Sequence, residues 1–293
     1  MTETAFRGDP GTKALALERL RYHIESGSFV FFPAWEDGLA NVIGALIEAD
    51  DKQAFAERYG FPIALVNALE VIVNAFHVLP AAQEFVEDWL VRTPVGADLS
   101  RLVPEILIYL LERPEIASTA EKNADVEQHR QAVVALHRRA LAGEEVERKE
   151  WKSVRLAAIS VSDAITDDTP VQLVSQIVEA AAWPGTMQSV LYDTLGACGR
   201  LESHQIMQGI GWTMENESRV FRIREQAEKD GRMAGLEGLD RVLALLDHDD
   251  PALARGFRQR LEQFGRLGGF YRDVGAKMVA LCERAPIATS QSV

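Results

Sequence analysis

The fold is decided between residues 59 and 111, where YGFPIALVNALEVIVNAF (59–76) is followed by a short helix and then by TPVGADLSRLVPEILIYLL (93–111). In the first part Leu65, Leu69, Ile72 and Phe76 recur at three- and four-residue intervals, the spacing of one helix face. In the last part residues 102–111 are apolar almost all round, with Glu105 the main exception, so this helix belongs at the centre of a packed layer. The turn PVGADL (94–99) lies between them. There Gly96 permits a positive φ, Asp98 and Ser100 can cap the next helix, and Val95 and Leu99 can pin the turn to the core. Nothing in the turn is nucleophilic, which favours a structural role.

The same period continues outward. Leu236, Leu239, Leu243 and Leu246 form one further stripe, and Tyr271, Val274, Met278 and Leu281 another. Only Phe29, Val30, Phe31 and Phe32 read as extended; Pro33 ends the run, and a lone strand has no partner, so the run is expected to be an apolar loop on the core. Thr169-Pro170 and Asp250-Pro251 each pair a capping residue with a proline at the first helical position. The expected fold is all-α, with roughly a dozen helices packed as helical hairpins, a bundle or an irregular helical array; no fixed repeat period holds. A soft boundary at PEIASTAEKNADVEQ (114–128) separates an N-terminal helical region, 12–113, from a C-terminal one, 125–285. Residues 1–11 and 286–293 are expected to be flexible ends.

The chain has 293 residues and a formal net charge of −13, from 31 basic against 44 acidic residues. That balance argues against nucleic acid as the main partner, because phosphate recognition needs a basic footprint. No apolar run approaches the roughly 20 residues that span a membrane, so no membrane association is expected. Nor does MTETAFRGDPGTK (1–13) have the apolar stretch of a signal peptide. Cys198 and Cys282 lie far apart, each in a helical pattern, and a cytoplasmic protein with two reduced, buried thiols is the expectation.

Tyr59-Gly60-Phe61-Pro62 followed by Pro94-Val95-Gly96-Ala97-Asp98-Leu99 resembles the "YG-x-P … PVGADL" signature of a family of uncharacterised bacterial all-helical proteins. LHRRALAGEEVERKEWKSVRLAA (136–158) is similar to that family's unit of a long helix, a Gly-Glu turn and a Trp-containing helix, and YRDVGAKMVALCERAP (271–286) to its closing helix. Residues 184–265 depart from the family's Ala-, Trp- and Tyr-rich array. The resemblance implies a scaffold and carries no activity. The Trp-containing unit is also similar to Ala-rich helical immunity proteins.

No HExxH, GxxxxGK[ST], CxxC or GxSxG motif occurs. Gly265, Gly268 and Gly269 lack a preceding strand and read as a helix–helix turn. Asp125 with His129, and Asp163 with Asp167, have i, i+4 spacing, but the converging ligand set of a bundle metal site is missing, so neither metal nor cofactor is expected. The run Asp247-His248-Asp249-Asp250 is expected to act in a turn and in capping, and His204 to lie on a first helical turn. The charged stretches 144–155 and 215–232 read as solvated mixed-sign faces. Trp35, Trp89, Trp151, Trp183 and Trp212 read as packing anchors, or as partner hot spots if exposed together.

Two functions follow as expectations. The first is a non-enzymatic helical interaction protein whose partner is another protein, with toxin neutralisation as one version. The alternative is a small-molecule-binding or enzymatic protein with a pocket drawn from His77, His129, His137, Tyr109, Glu105 and Asp163. No catalytic residue can be named from the sequence.

Overall fold

The structure is a computed structural model that describes residues 3–232 and 238–288. It is all-α: 72% helical, with fourteen α-helices among the described residues. After a short 3-10 turn, Ala5–Gly8, come α1 (Pro10–Glu25), α2 (Gly44–Ile47), α3 (Lys52–Tyr59), α4 (Ile63–Asn74), α5 (Leu79–Arg92) and α6 (Leu102–Leu111). Next are α7 (Pro114–Ala120), α8 (Ala124–Leu141), α9 (Arg148–Ala164), α10 (Thr169–Ala181) and α11 (Val190–Gly209). The last three are α12 (Met214–Lys229), α13 (Gly238–Asp249) and α14 (Pro251–Glu283). No helix among the described residues is long and apolar enough to cross a membrane.

The chain forms two compact units, one of residues 1–199 with 270–293 and one of residues 200–269; it passes between them within α11 and α14. The boundary expected at 114–128 instead falls inside the first unit, where α7 and α8 begin. A polar stretch suggested a linker, but its proline and Asn123 start helices: Pro114 opens α7 and the Asn123 side chain caps α8.

The first unit is built on the segment quoted above. Leu65, Leu69 and Ile72 of α4 are fully buried, and in α6 Ile106, Leu107, Leu110 and Leu111 are as well. Phe61 sits in an aromatic cluster, with ring centroids 5.6 Å from Phe6, 6.3 Å from Phe55 and 4.7 Å from Trp89. Gly60 ends α3 at φ +73°, and a Cβ there would lie 1.9 Å from the Thr4 carbonyl oxygen. Gly96 has its expected positive φ of +80°.

The PVGADL turn also holds both ends of the chain. Ala5 N donates to Ala97 O at 2.8 Å, Gly96 N to Ala5 O at 3.0 Å and Leu99 N to Glu3 O at 2.8 Å. On the other edge Asp98 N donates to Pro286 O at 2.7 Å and Ala288 N to Gly96 O at 2.8 Å. Flexible ends were expected at 1–11 and 286–293, so the described residues 3–8 and 286–288 correct that reading. Residue composition reports apolar burial, whereas these segments are held largely by backbone pairing.

Further differences are local. Asp98 accepts from Ser100 N at 3.0 Å, while α6 starts behind Arg101 with no side-chain cap. Asp168, rather than Thr169, caps α10. Of the run expected to lie on the core, Phe29 is buried but Phe32 is 72% exposed, and Phe29 is not unpartnered, for its backbone bridges Ala40 in a two-by-two-residue hairpin, Trp35–Glu36 with Leu39–Ala40. Asp37-Gly38, both at positive φ, makes the hairpin turn.

In the second unit Trp212, Leu246, Leu253, Ala254 and Phe257 form the core, while Leu239 of the expected stripe is half exposed. Leu236 lies outside the described residues. Gly265, Gly268 and Gly269 do not form a turn; they lie inside the 33-residue α14. Glycine lowers helix propensity by about 1 kcal/mol but keeps its backbone donor, so packing can carry a helix through it.

Candidate functional site

The candidate site begins with a capping box. Glu147 precedes α9, where the Glu150 side chain accepts from Glu147 N at 3.1 Å and the Glu147 side chain returns the bond. That fixes the start of the helix, and 3.6 residues per turn then place Arg148, Lys152 and Arg155 on one face with Trp151 at its edge. Trp151 is buried, its ring 4.8 Å from the imidazole of His137 on α8.

The opposite wall is the loop after α10, carrying Trp183, Pro184, Thr186 and Met187. Three contacts hold it in place. A Cβ on Gly185 would lie 2.8 Å from Pro104 of α6, so the loop closes on the central helix only because the residue is glycine. Asn67 Nδ2 donates to Gln188 O at 2.9 Å. The Arg155 guanidinium carbon sits 3.6 Å from the Trp183 ring centroid, a stacked cation–π contact. Between the walls is a cleft of about 520 Å³.

Its charge is unlike the rest of the chain. Arg148, Lys152 and Arg155 have no carboxylate within ion-pair distance among the described residues, although the nearby stretch is rich in glutamate. Three of its four glutamates are already engaged: Glu144 and Glu150 with Arg139 at 2.9 and 2.7 Å, and Glu147 with Lys149 at 2.8 Å. The hydrogen bond from Arg139 holds the Glu150 carboxyl below its usual range. Three uncompensated cations therefore face one aromatic-walled cleft.

His137 backs this wall without lining it. Its Nε2 donates to Ala181 O at 2.9 Å, which leaves Nδ1 as a buried acceptor with no partner among the described residues. Burial pushes its pKa down to about 4, so the ring is neutral at pH 7.

A second cleft of about 520 Å³ brings Glu105 and Tyr109 together with Glu112, Arg113, Asp273 and Lys277. Its charges are largely matched: Glu105 is held by Arg101 at 3.2 Å, Glu112 by Arg138, and Arg113 pairs with Glu115, its guanidinium carbon 4.9 Å from the Phe270 ring centroid. Of the six residues expected to share a pocket, Glu105 and Tyr109 line this cleft together; His77, His129, His137 and Asp163 line neither of the two clefts described.

Asp247-His248-Asp249-Asp250 is accounted for by protein contacts. Asp247 pairs with Arg258, Asp249 with Arg232 at 2.9 Å and with His248, and Asp250 caps α14 through Leu253 N at 3.0 Å. No group of three or more His, Cys, Asp or Glu residues arranged to hold a metal ion occurs among the described residues.

The cationic face of α9 could have been found in the sequence. The spacing Arg148-x3-Lys152-x2-Arg155 is a same-sign stripe inside a stretch that looks mixed only when helical phase is ignored. Trp183 carried no such signal, because its wall forms only through folding. No family model, no curated protein and no solved structure matches the chain.

Proposed function

We propose that the protein acts by binding, without covalent chemistry, and that the Trp183 cleft is where it holds an anionic ligand. The observation that carries this is the set of three cations without carboxylate partners around one aromatic-walled cleft, in a chain of net charge −13. Unpaired cations in a concave site attract an anion more strongly than the same charges on a convex face, because the walls restrict solvent screening. The lining offers no carboxylate, imidazole or thiol to move a proton, which supports binding over catalysis.

The non-enzymatic part of the sequence-based expectation is kept, and the occupant is reassigned from a protein to a small anion. A volume of about 520 Å³ suits a small molecule. A reducing, cytoplasmic setting belongs to the same proposal, since Cys198 and Cys282 are both buried and neither is in a disulfide. The test is a thermal-shift titration with inorganic pyrophosphate at low and high salt. Wild type should be stabilised at low salt and lose the effect at high salt, and Arg148→Glu/Lys152→Glu should show no shift. Equal responses from both proteins would refute the proposal.

A further inference from the structure

The cleft has two ends of different character. At one end the Arg155 guanidinium carbon lies over the Trp183 ring, 3.6 Å from its centroid. At the other end are Lys152 and Arg148, one and two helical turns back along α9. Arg148 precedes Arg155 by seven residues, about 10 Å of helix rise. A guanidinium over an aromatic ring suits a planar ring, and two further cations suit a group with more than one negative charge.

We infer that the ligand is a nucleoside phosphate: a planar base packed at the Arg155–Trp183 end, joined by a sugar-length spacer to a phosphate held by Arg148 and Lys152. This rests on the reading of the cleft as an anion site. A simple dicarboxylate would leave the stacked end unused, and an acidic peptide without aromatic residues would do the same. A nucleic-acid polymer would need a basic track continuing beyond one cleft, which a chain of net charge −13 does not favour. Base stacking on an aromatic or guanidinium face tolerates any base, so the geometry specifies the class and leaves the base open.

The test is calorimetric titration of the full-length protein at low salt with five probes: AMP, adenosine, inorganic pyrophosphate, 1-naphthoate and an octa-glutamate peptide. AMP should bind, with adenosine and pyrophosphate each weaker by about tenfold or more, since each keeps only one half of the interaction. Trp183→Ala and the charge-preserving Arg155→Lys should weaken AMP several-fold and leave pyrophosphate unchanged, with melting curves confirming that both variants fold. Pyrophosphate binding as tightly as AMP and indifferent to Trp183→Ala would overturn the base, while leaving the anion site standing. Naphthoate matching AMP would overturn the phosphate. Octa-glutamate outcompeting AMP would return the cleft to a protein partner. If none of the charged probes binds, both this inference and the proposed function are wrong.

Discussion

The hub around Gly60 and Gly96 and the cleft between Arg155 and Trp183 belong to the same unit and are finished to different degrees. In the hub backbone donors from both chain ends meet carbonyl oxygens within 3.0 Å, the Phe6, Phe55 and Trp89 rings are fully buried, and a Cβ at Gly60 has no room. In the cleft three cations lack carboxylates and Trp183 is only half buried. A sequence signature marks where the backbone has no freedom, whereas a binding site marks where the protein leaves its own groups unmatched. The conspicuous residues and the candidate site therefore do not coincide.

Substitutions can break that comparison, and the hub should suffer most. Phe6→Ala removes a fully buried ring from the cluster and should cost about 4 kcal/mol in denaturant unfolding. A loss below about 1 kcal/mol would mean that the N-terminal segment does not hold the hub together. Gly60→Ala combines a strained left-handed conformation with a clash on Thr4 O, and should cost about 3 kcal/mol, seen as a lowered melting temperature.

Behind the cleft, His137 supplies a graded effect. Its folded pKa of about 4 lies below the ordinary value of 6.5, so the unfolded chain takes up the proton first as pH falls. Stability should be complete above about pH 6.5 and decline toward pH 4, with about 2 kcal/mol lost by pH 5. Urea melts of wild type and His137→Gln should differ in this slope, and parallel slopes would remove the buried imidazole from the explanation. The smallest effect belongs to the cleft itself. Arg148→Ala/Lys152→Ala deletes two exposed, unpaired cations and should change unfolding free energy by less than about 0.5 kcal/mol while abolishing anion binding. A large stability loss would make these residues structural and erase the contrast.

Much of the fold was legible in the chain. The stripes at Leu65, Leu69 and Ile72 and at Val274, Met278 and Leu281 are buried where their period placed them. Asp250 caps α14 ahead of Pro251 as its position suggested. The Asp37-Gly38 pair is itself a hairpin-turn signal in the sequence, and the structure forms the hairpin there. Misreadings arose where one residue type serves two ends: Gly265, Gly268 and Gly269 resemble a turn and lie in a helix, and Thr169 resembles a cap but follows the true cap, Asp168. Of the candidate site the Arg148, Lys152, Arg155 stripe was available in the spacing alone, whereas Glu105 and Tyr109 were named and proved to line a cleft whose charges are already largely matched.

What the sequence by itself determined is therefore local: which stretches are helical, where several begin, and which faces are apolar, because these depend on neighbours three or four residues away. The tertiary structure alone decided that residues 3–5 and 286–288 pair on either side of Gly96. It alone decided that Gly185 must be small because Pro104 lies against it, and that Trp183 meets Arg155. These contacts join residues about 30 to nearly 200 positions apart, and no periodicity records which distant partner a side chain will meet.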